Sequence, residues 1–136
     1  MSFAPPFLQE IVNYLATNTG GHFVFADGTG NLKIGELTRG VNGVFCMDSA
    51  SPPPDDYLPT EVRYIDFWSV NPVSNLAYQD LQYVYDLFHQ AYDITVSSWY
   101  VYAALALGQI EDMDRDGQGR KMYKLSIEFT IRNLIS

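Results

Sequence analysis

The residues best spaced for chemistry are Asp112, Asp114 and Asp116, followed by Gly117. Carboxylates at alternate positions before a glycine bend are how a calcium-binding EF-hand loop begins. The remainder of such a loop is missing. Its twelfth position is Tyr123 where a bidentate glutamate is needed, its ninth is Arg120, and a strand pattern follows where a helix should. The run therefore reads as a polar hairpin turn. His22 and His89 are the only histidines, and no spacing puts two imidazoles on one metal. His89, near a helix end, reads as a partner for the last helical carbonyls. Cys46 would need a nearby histidine and an electropositive setting to act as a nucleophile, and Val44, Phe45 and Met47 around it read as core. Gly28-Thr29-Gly30 lacks the lysine and following helix of a phosphate loop, so it reads as a turn. Asp55, Asp56, Asp80 and Asp86 could pair for acid/base work, but nothing selects a pair. The aromatic run Trp99-Tyr100-Val101-Tyr102 has no interleaved Lys or Arg, which favours packing over base stacking. No catalytic residue, metal or cofactor is expected, and the chain does not read as an enzyme.

The elements that would position these residues suggest an α+β domain. Leu8, Ile11, Val12 and Leu15, flanked by Phe7 and Tyr14, have helical spacing after Pro5-Pro6, and Gly20-Gly21 ends the helix. His22 to Phe25 has strand character, with Leu32 to Leu37 as its expected hairpin partner and Gly40 to Met47 as a third strand. Prolines 52, 53 and 54 keep the stretch from about 49 to 60 out of any helix or central strand, so an extended arm or loop is expected there. Glu61 to Val70 is a strand apolar on both faces of its pleat, so cover is expected on both, and a neighbouring subunit is one candidate to supply it.

Ser74 is the expected N-cap of a helix running to about Gln90. Ala77, Leu81, Val84, Phe88 and Ala91 form its core stripe, broadened by Tyr78, Tyr85 and Leu87. Thr95 to Ile110 and Lys121 to Leu134 read as a long hairpin joined by the turn Glu111 to Arg120. In its second strand Tyr123, Leu125, Ile127, Phe129 and Ile131 alternate with Lys124, Ser126, Glu128, Thr130 and Arg132. The expected fold is a mixed, mainly antiparallel sheet with an N-terminal helix, a longer helix packed on it and a long C-terminal hairpin, in one domain spanning residues 1–136.

Composition narrows the function. The 136 residues are 47% apolar and 18% charged, and they include 10 Tyr, 8 Phe and 2 Trp. Aromatic side chains in such number serve cores and protein interfaces alike. A net charge of −8 argues against binding nucleic-acid phosphates and suits a surface past which DNA slides. A single cysteine excludes an internal disulfide, so folding in a reducing cytoplasm is expected. The most apolar window, Trp99 to Leu107, is far short of the roughly 20 residues of a membrane helix.

In order and spacing, nearly the whole chain resembles the tail terminator and minor capsid (head–tail joining) proteins of long-tailed bacteriophages. The resemblance rests on several segments: Asn31 to Leu37 with its glycine, Gly43 to Asp48, the proline stretch Ser51 to Asp55, Val62 to Trp68, Asn75 to Leu81, the turn Asp114 to Arg120, and the alternating Leu125 to Ile131. Phe67-Trp68-Ser69 stands where many relatives carry a charged Val-Arg segment. The resemblance implies a virion protein assembled in the host cytoplasm. It would form a ring, usually a hexamer, that caps the tail tube and meets the head connector or completion protein, with DNA only as passing cargo. Pro52, Pro53, Pro54, Asp55, Asp56, Tyr57 and Trp68 are then expected at subunit or tube contacts. Glu111, Asp112, Asp114 and Asp116 are expected to line a lumen or face the connector. Two alternatives stay open: another neck or head-completion adaptor of the virion, and a small-ligand domain with Trp68, Trp99 and tyrosines around an apolar pocket. A hydrolase built on scattered carboxylates is a weaker third, with no paired motif to carry it.

Overall fold

The computed structural model describes residues 7–25, 30–35, 37, 40–49, 60–96 and 98–134. Its elements, in order, are α1 (Phe7–Asn18), β1 (Leu32–Ile34), β2 (Gly43–Asp48), β3 (Glu61–Asn71), α2 (Ser74–Phe88), β4 (Ala91–Val96), β5 (Trp99–Ala106), β6 (Glu111–Arg115) and β7 (Lys121–Asn133). The strands form one sheet in the order β1-β2-β3-β7-β5-β4, and β6 also pairs with β7. Every pairing is antiparallel except β1 with β2. This is the α+β architecture that the sequence predicts.

Strict alternation in β7 decides which face is buried. Leu125, Ile127, Phe129 and Ile131 are buried, and Ile65 and Phe67 lie on the same side of β3 opposite Ile127 and Leu125. The stripe Ala77, Leu81, Val84 and Phe88 of α2 packs onto that side, and α1 adds Phe7, Ile11, Val12 and Leu15. Phe129 sits at the centre of the layer, its ring edge-on to Phe7 at 5.3 Å and to Phe88 at 5.2 Å. Cys46 is buried on the same face, where burial pushes its thiol well above the ordinary range and keeps it protonated. The core reading of this cysteine therefore holds.

Several local expectations are corrected. Residues 23–25 are not a strand, and β1 pairs with β2 in parallel instead of closing a hairpin with them. The Asn31 side chain holds the preceding segment as a turn, accepting from the Val24 N–H and donating to the His22 carbonyl, both at 2.8 Å. Glycine is needed here twice. A Cβ at Gly30 would lie 1.8 Å from the Val24 carbonyl oxygen, and one at Gly43, whose φ is +141°, would lie 2.6 Å from that of Asn31.

Ser74 is the first helical residue of α2 and not its cap. Val73 holds the cap position with no side-chain cap bond, its N–H bonded to Asn71, while the Ser74 hydroxyl meets the Tyr123 hydroxyl at 2.9 Å. The expected strand from Thr95 to Ile110 is two strands, β4 and β5, paired with each other, and β4 already begins at Ala91. The expected turn from Glu111 to Arg120 is shorter, because Glu111 to Arg115 extends along β7 as β6. On the second face of β3 no helix packs among the described residues, yet Val70 and the neighbouring Phe45 of β2 are buried there and Val62, Tyr64 and Trp68 are half-buried, so that face is covered in part. The proline-rich stretch, residues 50–59, lies outside the described residues, as do Pro5 and Pro6.

Truncating the central ring leaves a cavity lined by both helices, so Phe129→Ala should destabilise the fold by about 3–5 kcal/mol. Urea denaturation followed by tryptophan fluorescence measures this, and a loss below about 1 kcal/mol would show that Phe129 is not central to the core.

Candidate interaction surface

Three surfaces flank the core. The first is the β6–β7 hairpin with its turn. Glu111, Asp112 and Asp114 are exposed and Asp116 is half-buried. Asp112 takes the Lys121 ammonium and the Asp114 N–H, while Asp116 binds the Arg120 guanidinium at 2.8 Å and the N–H groups of Gln118 and Arg120 at 2.9 Å. Arg120, itself buried, reaches on to the Val41 carbonyl at 2.5 Å, and the Gln118 side chain accepts the Gly40 N–H at 2.8 Å. Two of the four acids thus fasten the hairpin to itself, and Arg120 and Gln118 fasten it to the loop before β2. Among the described residues no cation pairs with Glu111 or Asp114. From Glu111 to Lys121 the four carboxylates face three cations, Arg115, Arg120 and Lys121, so the hairpin is far less acidic than a run of aspartates suggests. The lysine ammonium and a backbone N–H hold the Asp112 carboxyl below the ordinary value of 3.8. Burial pushes Asp116 up, but the backbone and guanidinium donors outweigh it and hold that carboxyl low as well.

The second surface is the sheet face away from the helices. Pairing register places Phe45, Met47, Val62, Tyr64, Asp66, Trp68 and Val70 there from β2 and β3, and Lys124, Ser126, Glu128, Thr130 and Arg132 from β7. Trp68 is half-buried, with the Lys124 ammonium 5.6 Å from its ring centre. Asp66 accepts from the Ser126 hydroxyl at 2.6 Å and lies 3.9 Å from Lys124. Leu105, Tyr92 and Arg132 continue this face toward β4 and are exposed.

The third is the outer side of α2. Val73, Leu76 and Tyr83 are about half exposed. They form, with Asp80 and Leu87, a second stripe at steps of three and four beside the core stripe. Asp80 bonds His22 at 2.8 Å, and that imidazole stacks on Tyr83 with centroids 3.8 Å apart. Burial raises the Asp80 carboxyl against the opposing pull of His22. His89 does not cap the helix with its ring. Its Nδ1 accepts the Ala106 N–H at 3.2 Å, which ties the end of α2 to β5.

The structure therefore puts Trp68 on the sheet face away from the helices and spreads the four acids along β6 and its turn, with Glu111 opposite the same Lys124 that faces Trp68 and Asp116 in the turn, and it leaves Pro52, Pro53, Pro54, Asp55, Asp56 and Tyr57 outside the described residues. Surface depressions of about 200, 290 and 370 Å³ are open to solvent, and neither Trp68 nor Trp99 lines them. The α2 stripe was missed in the sequence because its polar member, Asp80, interrupts the pattern. Its three-four spacing was the signal that could have found it.

No family model matches the chain, and no curated protein matches it. Among solved structures, the chain is similar to one described as "Virion of native gene transfer agent (GTA) particle", with a TM-score of 0.63 and 11% identity over 97% of this chain and 100% of that one. The fold therefore occurs in a virion particle. Because each chain is spanned almost end to end, the likeness covers the whole topology and not a shared fragment.

Two aspartates of the hairpin, Asp112 and Asp116, give a pH test. Both are harder to protonate folded than unfolded, so their contribution is complete above the ordinary aspartate value, shrinks as pH falls below it, and is gone once the folded values are passed. Denaturation midpoints measured downward from about pH 3.8 should fall more steeply for the natural chain than for Asp112→Asn/Asp116→Asn. Parallel acid profiles would contradict the pairing.

Proposed function

We propose that this chain is a virion structural subunit and not an enzyme, forming a ring that caps a phage-type tail tube and joins it to the head connector. The observation that carries the reading is the end-to-end similarity in fold to a chain of a virion particle. Three features of the chain support it. The sheet has an open face with aromatic groups and both signs of charge, which suits protein contact more than an enclosed ligand site. The hairpin turn is pinned by Arg120 and Gln118, so it can present Asp114 in a fixed place, and Glu111 is held at the other end of β6 by pairing with β7 opposite Lys124. A net charge of −8 lets DNA pass a conduit without adhering to its wall.

In this reading Glu111 and Asp114 are the acids that face the lumen or the connector, while Asp112 and Asp116 shape the hairpin that carries them. Residues 51–59 form the arm that reaches a neighbour or the tube, and Trp68 lies at a subunit contact. The partners are copies of the chain itself, the tube protein and the head connector or completion protein. Self-association is expected to give a hexamer. The site of action is the tail–neck junction.

Negative-stain electron microscopy of the protein mixed with purified tail tubes should show rings seated on tube ends. Bare tube ends, together with a monomeric mass by light scattering at every concentration, would overturn the reading. Deleting residues 51–59 should abolish head–tail joining in an assembly assay while leaving the circular dichroism spectrum unchanged. Normal joining by the deletion variant would remove the arm from the account.

A further inference from the structure

Glu10, Asn13, Tyr14, Thr17 and Asn18 recur at steps of three and four, so they share one flank of α1, beside its core residues Phe7, Ile11 and Leu15. Together with Thr95 and Val96 of the edge strand β4, that flank lines a groove of about 200 Å³. Glu10 is only 9% exposed although it lines the groove. Among the described residues no cation pairs with its carboxylate and no hydrogen-bond donor reaches it. Neither α1 nor β4 has a Lys, Arg or His that could do so. By contrast Asp66, Asp80 and Asp116, which are half-buried, are bonded to Ser126, His22 and Arg120. A carboxylate withdrawn from water without a partner is costly, and a cation that enters the groove offsets that cost.

The other polar groups of the groove are set to accept as well. The Thr17 hydroxyl donates to the Asn13 carbonyl at 2.9 Å and the Asn18 amide donates to the Tyr14 carbonyl at 2.8 Å, which leaves the oxygens of both side chains able to accept. A metal ion is a poor match, because a hard cation gathers a close shell of oxygens from several carboxylates, and among the described residues no three His, Cys, Asp or Glu stand together. We propose that this groove binds a primary alkylammonium group, with the ammonium against the Glu10 carboxylate and its remaining N–H groups on the oxygens of Thr17, Asn18 and Thr95. An ammonium brings three donors that turn toward separate acceptors, whereas the planar fork of a guanidinium suits one bidentate carboxylate. Tyr14 and Val96 give the methylene stem an apolar wall. A lysine of another protein and a free alkylamine carry the same group. The ring reading does not use this flank of α1, so the two stand or fall separately.

Titration of the ¹⁵N-labelled protein with n-butylammonium chloride at neutral pH, followed by nuclear magnetic resonance, tests the site. The backbone amide signals of Glu10, Asn18 and Thr95 should shift and saturate together, and n-butanol or matched sodium chloride should leave them in place. Glu10→Gln, with its fold checked by circular dichroism, should weaken binding at least tenfold. If that variant does not fold, Asn18→Ala/Thr95→Val, which alters only exposed side chains, should weaken it several-fold. The absence of a saturable shift, an equal response to n-butanol, or full-affinity binding by whichever variant folds would overturn the site. Tighter binding of n-butylguanidinium would overturn the choice of an ammonium. Nα-acetyl-lysine N-methylamide separates the two sources: affinity equal to or above that of butylammonium assigns a protein lysine, and weaker affinity assigns a free amine.

Discussion

Along eleven consecutive residue pairs, from Glu61 opposite Ile131 to Asn71 opposite Lys121, β3 and β7 exchange backbone hydrogen bonds at the centre of the sheet. This pairing fixes what each face can be. A slip of one residue would turn Leu125, Ile127, Phe129 and Ile131 away from the helices and put Lys124, Ser126, Glu128 and Thr130 under them. The energetic difference between those arrangements is large because four big apolar groups would change places with two charges and two hydroxyls. The register is therefore set by burial, and the open face inherits whatever the alternation leaves over. In β3 the leftover residues are Val62, Tyr64, Asp66 and Trp68, which is why this face is aromatic and only partly polar.

The same constraint governs the hairpin. β7 is long enough to pair with β5 along its second half and with β6 along its first, where β3 still pairs with its other edge as far as Lys121, so only the turn from Asp116 to Arg120 extends beyond the paired strands. The hairpin's charge is largely absorbed internally. Asp112 and Asp116 hold the turn through Lys121 and Arg120, and Arg120 carries the linkage to Val41 beside β2. A run of aspartates that resembles a cation site in one dimension is, in three, a set of anchors for the chain's own cations.

Long periodic signals were legible in the sequence. The stripe Ala77, Leu81, Val84, Phe88 and the alternation from Tyr123 to Ile131 each repeat over several turns or pleats, and both face the core as expected, whereas Ala91, expected in that stripe, lies in β4 and Tyr78, expected to broaden it, is exposed. Short or nonlocal features were not. The parallel pairing of β1 with β2 depends on the Asn31 side chain bonding backward to residues 22 and 24, which no periodicity encodes. The break between β4 and β5 lacks the glycine or proline that usually marks a turn, so two strands read as one. Ser74 looked like a cap because of its type, but Asn71 had already organised the entry to the helix. At the surface, Trp68 was visible as a candidate, but its place on the helix-free face follows only from register. The acids of the hairpin could be named in advance but not divided into anchors and free groups, because that division depends on where Lys121 and Arg120 point.

The central claim is that this subunit is a part of the virion at the junction of head and tail. It is tested most directly by immunogold labelling of particles purified from cells that encode the chain, using an antibody raised against the folded protein. Gold confined to the head–tail junction of intact particles is the predicted result. Particles that contain none of the chain by mass spectrometry and show no label would contradict the account.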